Sequence, residues 1–452
     1  MNKISKSLTL FLSIALIVTG TAIFPKTHAQ ESAIEGVPVI ELDPAFAVDW
    51  IQLIYDRIYA EGHNPPLAAR VYGYAGITLY ESLLNGIPGN YSLAGQIVHM
   101  PDMPLPPDGT YDWLAVANHS LYRMMSELLP IKPETEAETR EILTAHYEAI
   151  KAEREAESGA DVVAFSIDYA DMLTDSLMAW MREDGIETIR ALPPYEIPDY
   201  FGEAGWVVTT EGQVPVEPYW GQMRPFRMEF SSDCRVPLNI EFSTEPDSTF
   251  YKQAQETEQI GVNLTQEQID TAYFWVDTPR ISGTPAGHWM LIAGLMVEQL
   301  DMPLDYTAEM YAIVGMAVSD AFISTWESKY SYMLLRPVTY IQRYIRRSWG
   351  PLIETPGFPE YPSGHSVVSG AAATVLTDLF GQVAFTDTTG LSRDLQPRSF
   401  TSFEAAASEA GISRIYGGIH YRVAIENGLA QGRCVGGKVY DTIRLHPFRQ
   451  GE

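Results

Sequence analysis

The chain is poor in cysteine: among its 452 residues only Cys234 and Cys434 occur. That excludes a disulfide-framework domain and any zinc or iron–sulfur site built on thiolates. The pair is open to two readings, a disulfide if the protein is exported or two buried thiols, since a bridge needs Cα atoms within ~7 Å. Basic residues are also scarce, with 30 Lys and Arg against 58 Asp and Glu and a formal charge of −28. Such a surface repels nucleic acid and anionic lipid, so neither is expected as a partner. Internal repeats and low-complexity tracts are absent, and the Gly-rich turns carry no phosphate-binding signature of a nucleotide site. What remains, with 46% hydrophobic and 19% charged residues, is a folded chain with a sizeable core. Its length allows two or three domains or one large helical unit.

The first residues stand apart. Lys3 and Lys6 precede an apolar run from Leu8 to Phe24 that ends at Pro25 and Thr27-His28-Ala29, the pattern of a secretory signal peptide. Ser13, Thr19, Gly20 and Thr21 interrupt the run, which stops short of the ~20 apolar residues of a membrane span. No later segment is apolar and long enough to cross a bilayer. The expectation is a signal peptide over 1–29 and a secreted or periplasmic unit over 30–452, free of the membrane after cleavage.

Helical periodicity dominates that unit, as in Trp50-Ile51-x-x-Ile54-Tyr55-x-x-Ile58 and Leu67-x3-Val71-x3-Ala75-x3-Leu79. Further helices are expected over 113–129, 134–157, 160–181, 266–275, 288–300, 308–335, 365–380, 403–411 and 423–444. Between 184 and 230 the pattern changes to Pro, Gly and aromatics, with Pro193-Pro194, Trp220-Gly221 and Pro225-Phe226. This predicts an irregular surface wrap rather than a linker. The chain divides accordingly into a helical part over 30–270, holding that stretch, and a second helical part over 271–452.

Chemistry concentrates between Lys329 and His420, where eight basic residues face seven acidic ones inside a strongly acidic chain. Gathering fixed cations is costly unless something neutralises them, which points to a small anion as ligand. Lys329-x6-Arg336-Pro337 places an ammonium and a guanidinium two helical turns apart on one face. Pro359-Glu360-Tyr361-Pro362-Ser363-Gly364-His365 leads into an apolar helix, with Ser363 at the N-cap. Gly364 leaves the first amides accessible, and His365 stands within proton-transfer reach of a bound anion. Ser413-Arg414-Ile415-Tyr416-Gly417-Gly418-Ile419-His420 sets an arginine and a histidine on either side of a tight turn. Taken alone, the first motif reads as a solvated face, the second as a capped helix and the third as a buried core histidine beside a structural arginine. Their succession is more telling.

In that order the three motifs resemble the vanadium-dependent haloperoxidases, which share their anion pocket with the type 2 phosphatidic acid phosphatases and bacterial acid phosphatases. Phe274-Trp275-Val276-Asp277 followed by Gly283-Thr284-Pro285 is similar to the family segment whose carboxylate serves the pocket arginine. Trp220-Gly221 and Pro225-Phe226 resemble secreted bacterial members. The resemblance implies an all-α fold of two packed four-helix bundles and a vanadate cofactor. His420 would bind vanadium, with Lys329, Arg336 and Arg414 neutralising the oxyanion and Ser363 and Gly364 completing the cradle. His365 would be the acid–base residue and Lys329 would polarise peroxide, while Trp326 and Phe358 would line the halide side. The implied substrates are hydrogen peroxide and halide, iodide or bromide before chloride; oligomeric state is left open. One departure counts: the superfamily often continues His-x3-Asp, and here that position is Ala424. Glu426 or a backbone carbonyl is then left to orient His420. Two rivals use the same pocket, an acid phosphatase with a His420 phosphoenzyme and an oxyanion-binding protein without turnover. The latter has no use for His365.

Overall fold

A computed structural model describes residues 34–446; the expected signal peptide lies outside them. Most helices fall where the periodicity places them, within a few residues at their ends. α1 (Ala45–Glu61) and α2 (Pro65–Leu83) open the chain, and Asn64 caps α2 by accepting from the Leu67 N–H. α3 (Trp113–Leu128), α4 (Pro133–Ser158) and α5 (Ala160–Arg182) follow. A short α6 (Ile186–Arg190) enters the irregular stretch. α7 (Thr249–Val262), α8 (Gln266–Phe274), α9 (Thr284–Gln299) and α10 (Leu304–Tyr332) come next. α11 (Pro337–Tyr344), α12 (Gly364–Phe380), α13 (Phe403–Tyr416) and α14 (Arg422–Thr442) complete the set. Two small sheets are local additions: β1 (Ile34–Glu35) pairs in parallel with β2 (Gly109–Thr110), and β3 (Phe385–Asp387) pairs antiparallel with β4 (Arg398–Phe400). Among the described residues no helix is long and apolar enough to cross a membrane.

The architecture is all-α, as expected. α2, α3, α4 and α5 pack as one bundle, α10, α12, α13 and α14 as a second, and the α2–α10 contact joins them. α10 is nearly continuous core, its Val314, Met316, Ala317, Val318 and Ala321 all fully buried. Its length lets one helix serve both bundles. Small residues allow close crossings: a Cβ at Gly432 would stand 2.1 Å from the Val367 carbonyl oxygen where α14 meets α12.

Three expectations need correction. The Pro- and aromatic-rich stretch does more than wrap the surface, since Trp206, Trp220, Phe226 and Met228 are buried. It is pinned by Asp320 of α10, whose carboxylate accepts from the backbone N–H groups of Phe226 and Arg227 at 2.6 and 2.8 Å. α7 and α11 were not anticipated. Pro337 opens α11 at a position where a proline costs no hydrogen bond. Lys329 and Arg336 do not share a helical face either, because α10 ends at Tyr332 and Met333 adopts φ +49. The cysteine question is answered by a Cys234–Cys434 disulfide with Cα atoms 5.6 Å apart, tying the segment just after the irregular stretch to α14.

Candidate active site

Three elements converge on one cavity of roughly 760 Å³. The end of α10 brings Trp326 and Lys329. The Phe358–Ser363 segment runs into α12 and its first turn. The end of α13 carries Arg414, and a turn through Gly418, at φ +77, delivers His420 at the entrance to α14. Asp277, Trp326, Phe358, Gly364, His365, Arg414 and His420 line the cavity. Lys329, Arg336 and Ser363 are fully buried behind its wall. Ser363 is the N-cap of α12, its hydroxyl accepting from Ser366 N–H at 3.4 Å. At Gly364 a Cβ would meet nothing closer than 3.9 Å, so the helix end opens onto the cavity.

The cations are held by backbone. Lys329 Nζ donates to the carbonyls of Pro359, Glu360 and Pro362 at 2.9, 2.9 and 2.5 Å. Burial drives its pKa well below the ordinary lysine value. Three acceptors nevertheless take three protons, which only the ammonium possesses. Lys329 therefore ties down the loop under the cavity. Arg336 donates from Nε to Phe358 O at 2.9 Å and from Nη1 to Ile419 O at 3.0 Å. Arg414 donates from Nη1 to Trp275 O at 2.5 Å. Burial lowers both guanidinium pKa values to about 10, and both stay charged at neutral pH. Arg336 Nη2, Arg414 Nε and His365 Nε2 are buried without a hydrogen-bond partner.

His420 is buried, with Nδ1 2.8 Å from Glu360 Oε1 and Nε2 3.2 Å from Arg336 Nη1. Burial first, then the charges of Arg336 and Lys329, hold its pKa well below the ordinary histidine value, so the ring is neutral. His365 is likewise held low, by burial and then by Arg414. Trp326 and Phe358 meet with ring centroids 4.9 Å apart, and the Phe358 face lies 5.1 Å from Lys329 Nζ and 4.9 Å from the Arg336 guanidinium.

Asp277 corrects another expectation. Its carboxylate does not bond Arg414; it accepts from His288 Nδ1 at 2.8 Å and lies 3.6 Å from Arg393 Nη1. His288 Nε2 in turn donates to Asp387 at 2.8 Å. Asp277 acts on Arg414 through its charge, opposing the effect of burial. Glu426 is exposed and plays no part at His420.

The region 309–447 matches the family model of the second helical-bundle domain of vanadium chloroperoxidase. The crystal structure of the first bacterial vanadium-dependent iodoperoxidase is similar at 31% identity, covering 90% of this chain and 98% of its own, with a TM-score of 0.83. The chain belongs to the vanadium-dependent haloperoxidase family. A bacterial vanadium-dependent chloroperoxidase shares the fold at 14% identity, covering 84% of this chain and 92% of its own, with a TM-score of 0.63. The apo form of such a chloroperoxidase gives 0.60. No curated protein sequence matches the chain.

For a haloperoxidase the donor set has the right chemistry. Among the described residues no cluster of three or more His, Cys, Asp or Glu side chains is arranged for a bare metal ion. Two guanidinium groups with unpaired nitrogens, a helix N-terminus and a hydroxyl surround His420 instead, and these are ligands for an oxyanion. Sequence reasoning missed Glu360, His288, Asp387 and Arg393. Glu360 was visible as the one acid inside the Pro-Ser-Gly-His motif; the others carry no local signal.

Proposed function

We propose that this haloperoxidase binds vanadate at His420 and oxidises iodide or bromide with hydrogen peroxide to hypohalous acid, and that it works outside the cytoplasm. One observation carries the reading: unpaired nitrogens of Arg336, Arg414 and His365 are buried around a neutral His420, where a tetrahedral oxyanion would satisfy them together. Bound vanadate would supply a Lewis-acidic centre that activates peroxide without changing oxidation state. The chain does the rest. His420 Nε2 offers the ligand lone pair, and Arg336 and Arg414 neutralise the oxyanion through forked contacts. Ser363 and the α12 N-terminus complete the cradle. His365, neutral at rest, takes a proton from incoming peroxide and returns it to the departing oxygen. Trp326 and Phe358 shield the halide side from bulk water. The preference for iodide draws support from the 31% identity to the iodoperoxidase. Export draws support from the signal-like N-terminus and the disulfide.

The test uses protein stripped of metal and phosphate, assayed for iodide-, bromide- and chloride-dependent peroxide turnover with and without orthovanadate. Vanadate should restore iodide and bromide oxidation in the wild type, and His420→Ala should remain at background. Hydrolysis of an aryl phosphate by vanadate-free protein, without halide oxidation, would instead establish the phosphatase.

A further inference from the structure

Given a vanadate-bearing His420, its ring must be held with Nε2 unprotonated and aimed at the oxyanion. The position four residues on, where a carboxylate would do this from α14, is Ala424, buried in an apolar cluster with Phe250, Tyr340, Tyr361 and Tyr421. The Ala424 carbonyl is itself occupied, accepting from Ser363 N–H at 3.0 Å.

The partner comes from the opposite direction, 60 residues earlier: Glu360 Oε1 stands 2.8 Å from His420 Nδ1. The same oxygen accepts from the Tyr421 backbone N–H at 2.9 Å. A backbone amide can only donate, so Oε1 accepts there, and the ring proton is placed by the other nitrogen. His420 Nε2 lies 3.2 Å from Arg336 Nη1, and a guanidinium has no acceptor, so Nε2 presents its lone pair and the neutral ring carries its proton on Nδ1, which faces Glu360. Glu360 is rigidly mounted for this task. Its N–H donates to Leu334 O at 2.9 Å and its carbonyl accepts from Lys329 Nζ at 2.9 Å.

We propose that Glu360 is the positioning residue for His420, replacing from the α12 side the carboxylate missing at Ala424, and that Lys329 serves the site by anchoring Glu360. The carboxylate fixes the Nδ1–H tautomer before vanadate arrives. Outer partners of this kind typically carry about 10–100-fold in metal affinity.

The inference rests on the vanadate reading, and two measurements keep them separable. The first is a long-range 1H–15N correlation spectrum of vanadate-free protein labelled at histidine nitrogen, with the His420 signals assigned by their loss in His420→Gln. The wild type should show Nδ1 protonated and Nε2 bare. Glu360→Gln should keep that pattern, because its amide oxygen can accept both hydrogens; Glu360→Ala should populate Nε2–H. The second is equilibrium dialysis with orthovanadate. Glu360→Ala should bind about 10–100-fold more weakly, and Glu360→Gln within about threefold of wild type. An Nε2–H tautomer in the wild type, or unchanged tautomer and affinity in Glu360→Ala, overturns the proposal. If Glu360→Ala fails to fold, an Nε2–H tautomer in Glu360→Gln does the same. Wild-type protein with the expected tautomer but no vanadate binding would sink the functional reading and leave Glu360's hold on His420 standing.

Discussion

His288 is the most exposed weakness of the second helical part, although no solvent reaches it. Its ring nitrogens lie 2.8 Å from Asp277 and 2.8 Å from Asp387, and all three side chains are at most 2% exposed. Trp275 stacks on the ring at 4.5 Å. Burial opposes its charge, but Asp277 and then Asp387 outweigh burial and raise its pKa to about 10. Replacing it with leucine keeps most of the volume and strands two buried carboxylates, with Arg393 left to serve Asp277 from 3.6 Å. Removing one partner of a buried ionic cluster costs about 3–5 kcal/mol. With unfolding entropy near 2.1 cal/mol/K per residue, a chain of this length loses about 1 °C per kcal/mol, so His288→Leu should lower Tm by about 3–6 °C at pH 7. The pH dependence has a definite sign. A raised histidine pKa gives stability that is complete below its ordinary value and fades as pH climbs through about 10. Asp277 and Asp387 have depressed pKa values, so their share is present above the ordinary carboxylate range and lost only as pH falls below it and through the depressed values. Melts of wild type and variant from pH 4 to 11 should differ most from mildly acid to neutral pH and converge toward pH 11. A gap below about 1 °C at pH 7, or one that persists undiminished at pH 11, would refute the reasoning.

Two further perturbations probe the frame that holds the site. In the chain-entropy picture a disulfide closing a loop of 200 residues contributes about 5 kcal/mol, so Cys234→Ser with Cys434→Ser should lower Tm by about 5 °C by calorimetry; an unchanged melt would mean that Asp320 and the buried aromatics already hold the loop. Gly432→Ala should cost at least about 1–3 kcal/mol, because its Cβ would meet Val367 O at 2.1 Å and Ala371 N at 2.8 Å, both backbone atoms. Gly437→Ala on the same helix is the control: the nearest atom is an Asp441 carboxylate oxygen at 3.8 Å, and Tm should hold or rise.

What could be read from the sequence was what is decided within a few residues. Ser363, the one cap read from the sequence, caps α12 because it bonds an amide three residues away. The motif residues that line the cavity were legible for the same reason, each lying within one short segment. Misreadings began where a local rule met a distant partner. Lys329 and Arg336 fit a helical spacing, yet Met333 leaves the helix at φ +49 and the chain carries Arg336 to Phe358 and Ile419. The aromatic stretch before Phe230 reads as surface because nothing near it in sequence reveals that Asp320, 94 residues beyond Phe226, will take its amides. The orientation of His420 is the sharpest case. Spacing directs attention to Ala424 and Glu426, on the helix that follows. The carboxylate that meets the ring arrives from 60 residues upstream, in a segment whose place is set by the three bonds of Lys329. A motif thus announces which groups share a site, while the choice of which atom faces which is made by contacts between segments that no periodicity connects.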